Sequence, residues 1–113
     1  MSSQDPAVTD AGLYTVVFEN ERVRVLEYRD RPGDRTHPHR HPDSVMYTLS
    51  AFRRRVSSGS RQADVELRAG QIRWVGAQEH MGENTGTSDT HVLFIELKEP
   101  GTSQTDGPLG PTE

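Results

Sequence analysis

Between Tyr14 and Lys98 apolar and polar residues alternate over short runs, and no stretch keeps an apolar period of 3.6 residues. "YTVVFEN" (14–20) and "RVRVLEYR" (22–29) read as the two arms of a hairpin turning over Glu19 to Glu21. "RPGD" (31–34) has Pro and Gly at the centre of a turn. "SVMYTLSA" (44–51), "ADVELRA" (63–69), "GQIRWVG" (70–76) and "THVLFIELK" (90–98) read as further strands, with "SSGSRQ" (57–62) as a hairpin loop and "GENTGTSD" (82–89) as a loop. This pattern predicts an all-β sandwich or barrel of about eight strands. Residues 1–13 and 100–113 are rich in Ser, Thr, Gly and Pro with little to bury, so both read as flexible, disordered polar ends of one domain spanning residues 14–99.

Composition sharpens the picture. Only 31% of the residues are hydrophobic and the mean hydropathy is −0.79, so the fold must concentrate a small apolar set, as a sheet closed on itself or completed by a second subunit would. The net charge of −4 and pI near 5.7 offer no basic face to displace counterions from phosphates, which argues against a nucleic-acid partner. With no cysteine there is no disulfide, thiolate nucleophile, zinc finger or iron–sulfur cluster, and any metal must be held by nitrogen and oxygen. The start "MSSQDPAVTDAG" has neither a basic nor an apolar leader region, and no apolar run approaches membrane-spanning length. A soluble, cytoplasmic protein with no membrane partner is the expectation.

Candidate chemistry is concentrated in "THPHRHPD" (36–43), which holds three of the chain's five histidines at alternate positions. In an extended segment His37, His39 and His41 point one way. Pro38 and Pro42 favour extended backbone at the residues before them, His37 and His41. Two imidazoles so placed can reach one ion at about 2.0–2.1 Å, and a third ligand must come from elsewhere. His80 lies in "GAQEHMGEN" (76–84), read as a loop between strands, whereas His91 opens the last strand and either caps a core face or meets solvent.

These segments resemble the two motifs of the cupin superfamily. The first cupin motif is a Gly, five residues, His-x-His, three or four residues, a Glu and then a Gly; here Gly33 precedes "DRTHP", His39-Arg40-His41, "PDS" and Val45. The second is a Gly, five residues, Pro-x-Gly, a His and, after three residues, an Asn; here Gly70 precedes "QIRWV", Gly76-Ala77-Gln78, His80, "MGE" and Asn84. The resemblance covers Thr15 to Lys98 and implies a single-domain cupin-type β-barrel, a double-stranded β-helix or jelly roll. It further implies one divalent transition metal (Zn, Fe, Mn, Ni or Cu) on His39, His41 and His80. Val45 stands where the family has its Glu ligand, so the ion would keep open positions for water, substrate or dioxygen. Small cupins commonly pair by extending their sheets, which implies a homodimer.

The chemistry that follows is metal-dependent action on a small organic molecule in the barrel. It is either Lewis-acid isomerase, cyclase or lyase chemistry or a three-histidine dioxygenase; the alternative is a non-catalytic cupin that binds a small ligand or a metal. On parity with His39 and His41, Val45, Tyr47 and Leu49 are expected to line the interior, joined by Ile72 and Trp74; Gln78 and Phe94 complete the candidate substrate-binding set. Tyr47 is the candidate proton donor, and His37 is a helper at the cavity mouth, an alternative ligand or a solvated turn residue. Gln78, Glu79 or Glu83 can supply a fourth ligand oxygen. Parity alone leaves Glu96 facing either the cavity or solvent. Arg53, Arg54 and Arg55 read as a charged strand edge, an anion-binding rim or a subunit contact. Because imidazole binds metal only when neutral, release is expected as pH falls through roughly 6.

Overall fold

The computed structural model describes residues 4–99 and 109–112. Their strands are β1 Tyr14–Glu19, β2 Val23–Asp30, β3 His39–His41, β4 Ser44–Thr48, β5 Phe52–Ser58, β6 Arg61–Leu67, β7 Ile72–Val75, β8 Gln78–Asn84 and β9 Thr90–Leu97, preceded by one helical turn, α1, Pro6–Thr9. A five-stranded sheet in the order β1-β2-β9-β4-β7 faces a four-stranded sheet in the order β3-β8-β5-β6, and every pairing is antiparallel. The all-β double-stranded architecture is the one expected. No helix among the described residues is long and apolar enough to cross a membrane.

Period-two burial places the core between the sheets. In β9 the burial alternates without a break, with Thr90, Val92, Phe94 and Glu96 inside and His91, Leu93, Ile95 and Leu97 outside. Tyr14, Leu26, Tyr28, Met46, Phe52, Val75, Val92 and Phe94 form one apolar cluster. Two glycines set the corners. Gly33, at φ +90°, is the third residue of the Arg31–Asp34 turn and follows Pro32, the arrangement of a type II turn, which admits little but glycine there. Gly70, at φ +81°, turns the chain from β6 into β7.

Several expectations change. "GAQEHMGEN" is not a loop: β8 runs through it, pairing with β3 on one side and β5 on the other. The run 53–55 is not a sheet edge, because β5 lies between β8 and β6. Arg53 and Arg55 point outward to Glu66 and Asp64, while Arg54 turns inward. Residues 4–13 are packed rather than loose: Asp5 caps α1 by accepting from the Ala7 N–H, Pro6 and Asp10 are buried, and Ala7 and Leu13 pack on the core. Residues 109–112 also return to the barrel, with Thr112 and Trp74 exchanging two backbone hydrogen bonds of 2.7 Å. The remaining parts of the expected flexible ends, residues 1–3, 100–108 and 113, lie outside the described residues.

Candidate metal centre

β3 and β8 bring the histidines together by register. His39 lies directly opposite His80, and His41 opposite Gln78, so alternation turns all four side chains to the same face. The three imidazoles contact one another with ring centroids 4.7 to 5.0 Å apart. One ligand nitrogen from each lies within 4.8 Å of the others.

Hydrogen bonding decides which nitrogen each ring presents. Nδ1 of His39 meets the His37 carbonyl at 2.8 Å, Nδ1 of His41 meets Glu96 Oε2 at 3.3 Å, and Nδ1 of His80 meets Gln78 Oε1 at 2.7 Å. Each acceptor holds the proton on Nδ1 and leaves the Nε2 lone pair free. The Gln78 amide is itself fixed, its Nε2 donating to the Gly76 carbonyl and its Oε1 accepting from the Gly110 N–H. Nε2 of both His39 and His41 is buried with no hydrogen-bond partner, an arrangement costly to keep unless something meets those lone pairs. Two nitrogens bound to one ion at about 2.1 Å can be no more than about 4.2 Å apart, so slight ring movement closes the set onto a metal. The residues fit a three-nitrogen divalent metal site.

Burial sets the electrostatics. It pushes His39 below the usual imidazole value and His41 and His80 well below it. Glu96, beside His41, is raised by its burial against the opposing pull of Arg24, whose guanidinium lies 2.8 Å from it and 2.9 Å from Asp5. The sign of the pH dependence follows for the metal-free protein. Folded values lie below the unfolded one, so the stability held by keeping these rings neutral is complete above about pH 6.5 and is lost as pH falls through the folded values. Urea midpoints of metal-free protein should drop between neutral pH and mildly acidic pH, and His80→Gln should flatten that drop.

Around the histidines lies a cavity of about 60 Å³, lined chiefly by apolar and aromatic side chains that include Tyr14, Met46, Val92 and Phe94. That is room for a handful of waters or a small molecule. Phe94 is buried and stacks on His41, the ring centroids 5.1 Å apart. Val45, Tyr47, Leu49, Ile72 and Trp74 are not interior: in β4 it is Ser44, Met46 and Thr48 that are buried, and Ile72 and Trp74 are exposed. The Pro42–Asp43 corner carries the chain from one sheet to the other and inverts the parity that links β3 to β4. Tyr47 therefore has no place at the histidines. His37 points outward, its side chain 75% exposed and its Nδ1 2.9 Å from Asp10. Glu79 faces Arg40 and Glu83 faces Arg35, away from the cluster. The Gln78 oxygen is committed to orienting His80.

Tyr28, Asp30, Arg54 and Thr90 are among the interior polar groups unforeseen in the sequence. Asp30 accepts from the Tyr28 hydroxyl, the Arg54 guanidinium, Asn84 Nδ2 (3.0 Å) and the Thr90 N–H (3.3 Å). Asn84 thus joins this network as well as bracing the turn after β8 through its bonds with Ser88 and Gly86. Parity carried the signal, since Asp30 continues the buried series Leu26–Tyr28 and Arg54 falls between Phe52 and Val56.

No protein-family model and no curated protein matches the chain. Solved structures do. A cupin domain from Bordetella pertussis is 29% identical, with a TM-score of 0.70 over 77% of this chain and 93% of that one. The chain has the double-stranded β-helix fold of the cupins. Two more distant structures share the fold. One is an uncharacterized conserved protein with a double-stranded β-helix domain from Klebsiella pneumoniae, 20% identical with a TM-score of 0.60 over 100% of this chain and 89% of that one. The other is an RmlC-like cupin family protein from Methanocaldococcus jannaschii, 10% identical with a TM-score of 0.61 over 75% and 78%. In this chain β3 carries the two histidines that resemble the first cupin motif and β8 the histidine that resembles the second.

Proposed function

We propose that this chain is a metal-dependent enzyme that acts on a small, largely apolar organic molecule at a divalent transition metal held by His39, His41 and His80. One observation carries the reading: three clustered imidazoles whose Nδ1 atoms are all engaged, with Nε2 of His39 and His41 fully buried and without a hydrogen-bond partner. Bound there, the metal would supply Lewis-acid polarisation or activation of water or dioxygen. The chain's own residues do the rest. Glu96 and Gln78 fix the tautomers of His41 and His80, Phe94 and Tyr14 exclude water beside the rings, and the aliphatic wall favours an apolar body on the substrate. Tyr28, its hydroxyl held by Asp30 and Arg54, is a tyrosine that lines the cavity where Tyr47 was expected; burial raises its pKa, so it remains protonated and is no general base.

Protein purified without added metal should carry close to one divalent ion per chain by elemental analysis. Chelation should remove both the ion and turnover of a small-molecule panel, with one particular ion restoring turnover. Ligand-induced stabilisation without turnover would establish the non-catalytic binding module instead. The depressed imidazole values place metal release at lower pH than the value near 6 that free histidines would set.

A further inference from the structure

His39 and His41 are each only 1% exposed, so whatever meets their Nε2 atoms must pass a wall of the cavity that moves. The wall offers few candidates. Of the described residues that line it, only Thr36 and Pro111 lie outside the strands. Thr36 is pinned to β8: its N–H donates to the Gly82 carbonyl at 2.9 Å and its Oγ1 accepts from the Gly82 N–H at 2.8 Å. Pro111 has no N–H to give and is held through its neighbours. Thr112 exchanges two backbone hydrogen bonds of 2.7 Å with Trp74, and the Gly110 N–H donates to Gln78 Oε1 at 2.8 Å.

Residues 109–112 also bridge the two sheets. Thr112 bonds Trp74 on β7, the edge of the five-stranded sheet, while Gly110 reaches β8 of the other. Gly110 is buried over β5 and β6: a Cβ built on it would stand 3.8 Å from Val56 Cγ2 and 3.7 Å from Val65 Cγ2. Its φ of +80° is one that glycine adopts freely and other residues resist. Gln78 Oε1, which receives the Gly110 N–H, is the same oxygen that meets His80 Nδ1. The segment thus touches both the cavity wall and the hydrogen bond that orients one of the three histidines.

We infer that residues 109–112 are a gate on the cavity, opened when the Thr112–Trp74 and Gly110–Gln78 bonds release, and that Pro111 is its specificity-determining residue, selecting by size what reaches the histidines. That the entrant is a small organic molecule rests on the function proposed above; the gate itself rests on the contacts of this segment. Releasing these few bonds costs less than parting strands paired along their length, so opening is local and leaves both sheets intact.

The chain has no cysteine, so Val56→Cys places a lone thiol beneath Gly110 in the metal-free protein. Its reaction with methyl methanethiosulfonate should quicken about 10-fold when Gly110→Ala is added, because alanine resists a left-handed φ. Thr112→Pro, which removes the N–H that Trp74 accepts, should quicken it by on the order of 10-fold as well, while Thr112→Val, which keeps that N–H, should react as Val56→Cys alone does. Pro111→Ala should speed a bulky aromatic disulfide more than the methyl reagent, whereas general loosening would speed both alike. A control thiol from Leu26→Cys, buried in β2 and outside the cavity lining, should stay unreactive in every background. Cobalt-loaded protein with Val56 intact should lose its metal to chelator faster in Gly110→Ala and Thr112→Pro. Thiol rates unchanged in both of those variants, equal acceleration of the Leu26→Cys control, or a Pro111→Ala effect blind to reagent size overturns the gate. A parent that takes up no cobalt overturns the proposed function and leaves the thiol result standing.

Discussion

His41→Ala should yield a folded protein that no longer retains metal. Its Nε2 is one of two fully buried lone pairs in the cluster, and its Nδ1 partner, Glu96, is already compensated by Arg24, so the loss leaves no bare carboxylate inside. Loss of an outer hydrogen-bond partner alone weakens a metal site by about 10–100-fold; loss of one of three ligands should exceed that, and metal content after dialysis should fall to background. His37→Ala, by contrast, should leave metal content unchanged, because that ring faces outward onto Asp10. Equal metal loss in both variants, or full retention in His41→Ala, would remove the three-histidine site.

The largest expected change in stability belongs to Asp30→Ala. Asp30 is fully buried and receives Tyr28, Arg54, Asn84 and Thr90, so deletion strands the Arg54 cation and several donors in a water-poor interior. Breaking one side of such a pair costs about 3–5 kcal/mol, a large fraction of the roughly 5–15 kcal/mol that holds a domain together. Urea unfolding should show this as a midpoint shift with unchanged slope. The double variant Asp30→Ala/Arg54→Met should recover much of the loss, since a buried pair replaced by apolar groups is often neutral. If the single variant loses less than about 1 kcal/mol, water reaches the network and the buried-pair account fails.

The sheets and the histidines were legible for the same reason: side chains two apart share a face, and the His39-Arg40-His41 spacing stays within one strand. What was not legible lay across corners and in register. Parity extrapolated from His41 into Val45 and Tyr47 crosses Pro42 and Asp43, where the chain leaves one sheet for the other. The burial of Asp30 and Arg54 follows from alternation with apolar neighbours, while Glu96 has apolar residues on both faces of its strand; pairing partners make such burial tolerable, and Arg54 meets Asp30 only because β2 and β5 face each other across the barrel. Likewise, the choice of Nε2 over Nδ1 depends on Glu96 and the His37 carbonyl, contacts set by the fold rather than by spacing.

The chain's single tryptophan, Trp74, is exposed on the outer face of the five-stranded sheet, on the far side of that sheet from the histidines. Its fluorescence therefore reports on that outer face and is insensitive to what fills the cavity. Iodide should quench it, and adding or stripping metal should leave emission and quenching as they were. One optical channel reads the outer face, and absorption by a cobalt-loaded sample independently follows the centre.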